Sequence, residues 1–153
     1  GVGVNLFSNH LYYWGDAHIN ITMGPERAAR LDDAGGALAE GVPLAIHSDA
    51  PVTALAPLFT AWCAVNRLSS GGVTLGNGTQ NISVKEALYA ITMGAAYSLK
   101  MENEIGSLEA GKRADIAILA EDPIDVGAEG LKDISVIGTM VGGHVHLNQG
   151  REG

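Results

Sequence analysis

The sequence predicts an α/β protein in which an alternating part is followed by a β-rich part. In residues 1–103, two short apolar runs are each followed by helical segments. From residue 104 onward, the apolar runs are short and are separated by turn sequences. Alternation of strand and helix is typical of a parallel sheet covered by helices, as in a TIM barrel, and the change near residue 104 indicates a second structural layer.

The first predicted strand is Val2–Ser8, which alternates small and apolar residues and is followed by Asn9 and His10. The stretch Leu11–Gly24 (LYYWGDAHINITMG) mixes aromatic, acidic and glycine residues without a period. We therefore predict a long loop there, and ordered loops of this length are often functional.

Two short helices are predicted next, at Pro25–Arg30 and Asp33–Glu40, because the first opens on Pro and the second ends before Gly41. The second predicted strand, Pro43–Ile46, ends in the polar run His47-Ser48-Asp49. Both predicted strands therefore have polar side chains at their C-terminal ends.

Pro57 begins a helix whose apolar residues recur with a period of 3.6, at Leu58, Trp62, Val65 and Leu68. A capping box, in which two side chains satisfy each other's free backbone amides, begins the next helix at Ser83-Val84-Lys85-Glu86. That helix is expected to run through Ala90, to break near Gly94 and to resume over Ala95–Leu99.

In the β-rich part, the segment IGSLEAGKRADIAIL (105–119) predicts two short strands around a turn at Glu109–Lys112. Two more strands are predicted at Ile134–Met140 and His144–Leu147. The dipeptide Gly142-Gly143 between them is typical of a hairpin turn.

Charge and composition exclude several classes of function. Seventeen acidic residues against nine basic ones give a formal charge of −8. Nucleic-acid binding needs clustered basic residues, and Lys112-Arg113 is the sole adjacent basic pair. No apolar run approaches the ~20 residues of a membrane span. The single cysteine, Cys63, suits a reducing compartment, so we expect a cytoplasmic protein.

Asp49 is the candidate catalytic residue that position alone suggests. A carboxylate directly after a buried strand must be hydrogen-bonded, bound to metal or solvated. Catalytic residues of TIM barrels lie at the C-terminal ends of strands, yet Asp is also a common turn residue. On spacing alone, a catalytic role and a role as a cap of the next segment have similar weight.

The sequence resembles the amidohydrolase superfamily, specifically amidohydrolase family 3. The resemblance spans nearly the whole chain. Its most specific part is the run Ser-Asp-Ala-Pro after a short apolar strand, followed some sixty residues later by GSLEAGKRADIAIL. The matching runs include FSNHLYYWGDAH, GVPLAIHSDAPV, PLFTAWCAVNR, ISVKEALYAIT and IGSLEAGKRADIAIL.

The resemblance implies a (β/α)8 barrel with a small β-sandwich. Residues 1–103 would supply the last two β/α units of the barrel with the helices that follow, and residues 104–153 would supply C-terminal strands of the sandwich. The chain begins without Met inside an apolar run, so we expect it to be part of a longer enzyme. The remaining metal ligands would lie in the rest of that parent chain, so this part alone is expected to be inactive.

The implied reaction is hydrolysis of a carbon–nitrogen bond, of amide rather than peptide type, by a metal-activated water. Asp49 matches the eighth-strand aspartate, which in the family ligates or adjoins the metal and transfers a proton. His10 matches the end of the seventh strand, which in the family lines the substrate pocket; there it would either orient a substrate carbonyl or hydrogen-bond a neighbouring loop. The expected cofactor is a divalent metal ion, zinc first. The expected partners are a small amide-type substrate, the rest of the parent chain and a possible second copy, with no nucleic acid and no membrane.

Other residues receive structural interpretations. His47 is expected to pack behind Asp49 rather than to contact substrate, His18 to be solvated, and Arg67 to be an ion-pair partner rather than a substrate clamp. His144 and His146 are expected on the surface of the sandwich strands. Two alternatives to the amide hydrolase remain open: a heterocycle deaminase of the same fold, and a non-catalytic barrel relative that serves in binding or assembly.

Overall fold

The computed structural model describes residues 2–148, which form five strands and seven helices. In chain order these are β1 (Val4–Phe7), α1 (Asn9–Ala17), α2 (Pro25–Ala28), α3 (Ala34–Ala39), β2 (Leu44–His47), α4 (Pro57–Asn66), α5 (Val84–Ile91), α6 (Met93–Ser98), β3 (Ile116–Leu119), α7 (Pro123–Gly130), β4 (Val136–Val141) and β5 (His144–Leu147). A π-helical turn, His18–Thr22, follows α1, and a 3-10 turn, Leu131–Asp133, follows α7. Across residues 2–148, no helix has the length and apolarity to cross a membrane.

Strands β1 and β2 are parallel neighbours, as the sequence predicted, with Val4 opposite Leu44 and Phe7 opposite His47. Because side chains alternate along a strand, the pair has two different faces. One face presents Val4, Leu6, Leu44 and Ile46 to the apolar core formed with the helices. The opposite face carries Asn5, Phe7, Ala45 and His47.

Helix α4 is the centre of the core, and its burial extends further round than the predicted apolar face. Residues 60–65 are all buried, because α4 packs between β2, α1, α5 and α7. Trp62 also donates its indole N–H to the Glu129 carbonyl at 3.1 Å. Cys63 is fully buried, and desolvation raises its pKa to about 12, so it behaves as a small apolar residue.

The prediction of a loop over Leu11–Gly24 was wrong, because α1 and the π-helical turn occupy most of that segment. The inward-facing residues do have helical spacing, at Ser8, Leu11 and Gly15. Two of these three are small or polar, so the period is invisible in hydropathy. Gly15 packs closely on Leu75, since a Cβ there would approach Leu75 Cδ1 to 2.9 Å.

The segment after α4 is tied to α1 by Asp16. Its carboxylate accepts hydrogen bonds from Ser69 Oγ at 2.7 Å and from the Gly71 N–H at 2.8 Å, and these bonds lower the pKa of Asp16. Leu75 from the same segment is buried against Leu11. This Gly-rich stretch is therefore packed onto the helical layer.

The predicted break at Gly94 is displaced to Thr92, which lies between α5 and α6 with φ −116° and ψ −87°. Ser83 and Glu86 form the predicted capping box at the start of α5. Gly94 itself is helical, and its Cα lies so close to the Leu44 carbonyl that a Cβ would collide with it. Glycine is required there by close packing of α6 on β2.

Strands β3, β4 and β5 form a separate antiparallel sheet in that order. The predicted hairpin is confirmed: Gly142 and Gly143 join β4 to β5 with φ of +55° and +85°. The predicted strand before Glu109 was wrong, because residues 105–107 form bends that include Gly106 at φ +94°. Helix α7 was not predicted, although Asp122 caps it and Pro123 begins it.

Arg67 is fully buried, but the predicted ion pair is replaced by hydrogen bonds to backbone carbonyls. Its guanidinium donates to Leu31 O at 2.6 Å, Asp32 O at 2.7 Å, Leu75 O at 2.8 Å and Ala29 O at 3.3 Å. No Asp or Glu within the described part of the chain comes within 4 Å of its nitrogens. Arg67 thus supplies hydrogen-bond donors to the backbone carbonyls of the segment after α2.

Candidate active site

The C-terminal ends of β1 and β2 lie at one edge of the sheet and are hydrogen-bonded to each other. Asn9 donates from Nδ2 to Thr53 Oγ1 at 2.8 Å, and Thr53 Oγ1 donates to the Ser48 carbonyl. Asn9, Ser48 and Thr53 are all buried. The start of α1, just beyond β1, and the loop after β2 are therefore joined into one unit.

Asp49 is exposed and lies just beyond β2 in the left-handed region, with φ +54°. Non-glycine residues are uncommon in this region, and Asp is among those that tolerate it. Its N–H donates to His47 Nδ1 at 3.0 Å, and its carbonyl accepts from the Val52 N–H at 2.7 Å. No hydrogen bond to its carboxylate occurs within residues 2–148, so a capping role has no hydrogen bond to support it there.

His10 lies in the first turn of α1 and is half-buried. Its Nε2 lies 2.8 Å from His18 Nε2, so one of the two nitrogens must carry the proton. Burial, and secondarily the charge of His18, lower the pKa of His10. His18 was expected to be solvated; instead it is half-buried, and its Nδ1 lies 2.6 Å from Thr22 Oγ1.

Three rings form a stack across the strand ends. Phe7 stacks on His10 at 5.4 Å between ring centroids and on His47 at 5.5 Å, with interplanar angles of 19° and 16°. Trp14 meets His10 edge-on at 5.4 Å. His47 was expected to pack behind Asp49; it contacts the Asp49 backbone through Nδ1 and also forms one end of this stack. The stack and Asp49 both belong to the C-terminal edge of the parallel strands.

The residues described by the structure do not by themselves fit a metal ion. Among residues 2–148, no three His, Cys, Asp or Glu side chains are grouped so that they could hold one. Protein zinc sites use three or four protein ligands, and Asp49 offers a single carboxylate. His144 and His146 are exposed on β5, in the other sheet, as the sequence indicated.

These features define a mixed α/β protein with polar side chains gathered at the C-terminal edge of a parallel strand pair. Comparison with known proteins identifies the group to which it belongs. Residues 1–146 match the model of the amidohydrolase family, so the chain is a member of that family, as the motif resemblance predicted.

Several known proteins are similar to this chain. N-substituted formamide deformylase of Arthrobacter pascens is 30% identical over 145 residues, which are 93% of this chain and 26% of that protein. Protein LONG AFTER FAR-RED 3 of Arabidopsis thaliana is 36% identical over 124 residues, covering 79% of this chain and 21% of that protein. A solved structure of an uncharacterized metal-dependent hydrolase from Pyrococcus horikoshii aligns with a TM-score of 0.65 and 26% identity, over 80% of this chain and 25% of that one. The chain thus spans about a quarter of the length of these relatives.

Proposed function

We propose that the whole protein is a metal-dependent hydrolase of amide-type carbon–nitrogen bonds. In this proposal, residues 1–103 are the last two β/α units of a (β/α)8 barrel and residues 104–153 contribute strands to a β-sandwich. The observation that carries the proposal is the parallel β1–β2 pair with Asp49 and His10 at its C-terminal edge, in a chain of the amidohydrolase family. A deformylase and a metal-dependent hydrolase among the similar proteins support the reaction class.

Asp49 is the proposed proton acceptor. In hydrolysis of an amide, the attacking water must lose a proton and the leaving nitrogen must gain one. An exposed carboxylate without competing hydrogen bonds in the described residues is free to do both in turn. The proposed divalent ion, zinc first, would lower the pKa of a bound water, and its other ligands would come from outside this chain. His10, half-buried at the same edge, is proposed to line the substrate pocket.

The test is Asp49→Asn in the full-length protein. Asn is nearly isosteric but cannot accept the proton, so we expect turnover to fall by roughly 10²–10⁴-fold while the fold is retained. Turnover is measured on a panel of N-acyl compounds that includes N-substituted formamides, and bound metal is measured by elemental analysis on the same preparation. Lost turnover with metal retained indicates proton transfer, and loss of both indicates a metal ligand.

Asp125→Asn is the matched control, because Asp125 is an exposed carboxylate on α7. It should retain full turnover. If Asp49→Asn remained as active as this control, the assignment of Asp49 would be wrong. A wild-type protein that hydrolyses no member of the panel and binds no metal would favour the non-catalytic alternative.

A further inference from the structure

His47 occupies a distinctive place in the strand pair. It is the last residue of β2 and lies on the face shared with Phe7, opposite the face that packs against the helices. It is half-buried, and stacking on Phe7 limits the rotation of its ring. Asp49, the proposed proton acceptor, is two residues further on.

The hydrogen bond at its Nδ1 determines which ring nitrogen carries the proton. The Asp49 N–H donates to Nδ1 at 3.0 Å, so Nδ1 is the acceptor and cannot itself be protonated. A neutral imidazole then has its proton on Nε2. Nε2 is at the far edge of the ring from the Cβ, so it points away from the backbone turn that engages Nδ1. Within residues 2–148 it has no hydrogen-bond partner.

We propose that His47 is a substrate-contacting residue whose Nε2–H donates to the carbonyl oxygen of the scissile amide. This inference rests on the proposed function. When water adds to the carbonyl carbon, the π electrons move to that oxygen and Asp49 takes the water proton. The C–N bond then breaks and the proton passes to the leaving nitrogen. A fixed donor at the oxygen stabilises the charge that develops there, which a ground-state carbonyl lacks. The substrates are therefore acyl compounds with an accessible carbonyl, formyl groups included.

Three substitutions of His47 in the full-length protein separate the roles this ring could have. His47→Gln places an amide N–H near the position of Nε2 and keeps a donor. His47→Asn places an amide oxygen near the position of Nδ1, so it keeps the acceptor for the Asp49 N–H and loses the distal donor. His47→Phe keeps only the stacking surface on Phe7.

We expect kcat/KM for the N-acyl panel to fall by about 10²-fold or more in His47→Asn and His47→Phe, mainly through kcat, and to stay within about tenfold of wild type in His47→Gln. Retained activity in His47→Asn would show that the ring only positions Asp49, and retained activity in His47→Phe would show that it only packs; either result overturns the proposal. His146→Gln, on exposed β5, is the control and should match wild type. Thermal unfolding of each variant verifies that the fold is intact.

Failure of this inference is distinguishable from failure of the proposed function. A wild-type enzyme that depends on Asp49 but tolerates His47→Phe refutes the role of His47 alone. An enzyme whose turnover of the panel survives Asp49→Asn, or a protein with no turnover, refutes the reaction on which both rest.

Discussion

Arg67 and Asp32 interact electrostatically without forming the ion pair that the sequence suggests for Arg67. The Arg67 guanidinium is fully buried and its nitrogens donate to carbonyl oxygens of residues 29, 31, 32 and 75. Asp32 has one carboxylate oxygen, Oδ2, that is buried with no partner in the described residues. Desolvation raises the pKa of Asp32 to about 6, against the opposing effect of Arg67. Desolvation therefore destabilises the ionised Asp32 carboxylate by more than its attraction to Arg67 stabilises it.

We predict that Asp32→Asn stabilises the protein at pH 8. Because the pKa of Asp32 is raised in the folded state, its stabilising contribution is fully present below pH 3.8 and is lost as pH rises through about 6. Asn cannot ionise, and it tolerates the positive φ of 47° at this position. The gain should be up to about 3 kcal/mol above pH 7 and should shrink toward pH 4.

Denaturant unfolding of both proteins at pH 8 and pH 4.5 measures this difference. Asp125→Asn, at an exposed site on α7, is the control for the substitution itself. Equal or lower stability of Asp32→Asn at pH 8 would mean that Arg67 outweighs desolvation.

At the scale of elements, α6 packs so closely on β2 that position 94 has no room for a side chain. Gly94 has helical geometry, so Ala there should by propensity alone stabilise α6 by about 1 kcal/mol. A Cβ at this position would instead collide with the Leu44 carbonyl at the start of β2, and backbone cannot rotate away as a flexible side chain can.

We therefore predict that Gly94→Ala destabilises the protein, by about 1–3 kcal/mol as in other overpacked cores. Chemical denaturation measures the change. Lys85→Ala on the exposed side of α5 is the control and should change stability by less than about 0.5 kcal/mol. A stabilised Gly94→Ala would show that α6 moves off β2 freely.

Helix α1 shows why an element can be missed by pattern while its neighbours are found. Its inward positions include Ser8, Asn9 and Gly15, which bury little apolar surface. Besides the apolar contacts of Leu11, the helix is held by specific polar contacts, including Asn9 with Thr53 and Asp16 with Ser69. Since those partners are more than forty residues away in sequence, no local window contains the information.

At the scale of the whole molecule, the described residues leave sheet edges and apolar side chains uncovered. The β1–β2 sheet has two strands, each paired on one side within residues 2–148. In the second sheet, the exposed large apolar residues are Ile137, Val141, Val145 and Leu147. Unpaired strand edges and apolar surface of this kind promote association.

We predict that residues 1–153, expressed alone, self-associate or bind the remainder of the proposed longer enzyme. Sedimentation velocity at several concentrations measures the association. Val145→Lys with Leu147→Lys places charge on one exposed face of β5 and should reduce it. A monomer with a single cooperative unfolding transition would contradict the prediction.

The sequence by itself determined the strands β1 and β2, helix α4, the capping box of α5 and the hairpin at Gly142-Gly143, as well as membership of the amidohydrolase family. These features depend on local period, local capping chemistry or motif, which a single stretch of chain contains. The position of Asp49 and His10 at strand ends was also visible, because polar residues directly follow apolar runs.

The tertiary structure alone decided the helical state of α1, the packing role of Gly94, the carbonyl contacts of Arg67 and the stack of His10, Phe7 and His47. Each of these depends on which distant residue arrives beside it. The parallel pairing of β1 with β2 places Phe7 opposite His47, forty residues later, and so brings the Phe7 ring onto the His47 ring beside Asp49. Register between strands is a long-range property, and it is this register that turns two separate polar strand ends into one candidate site.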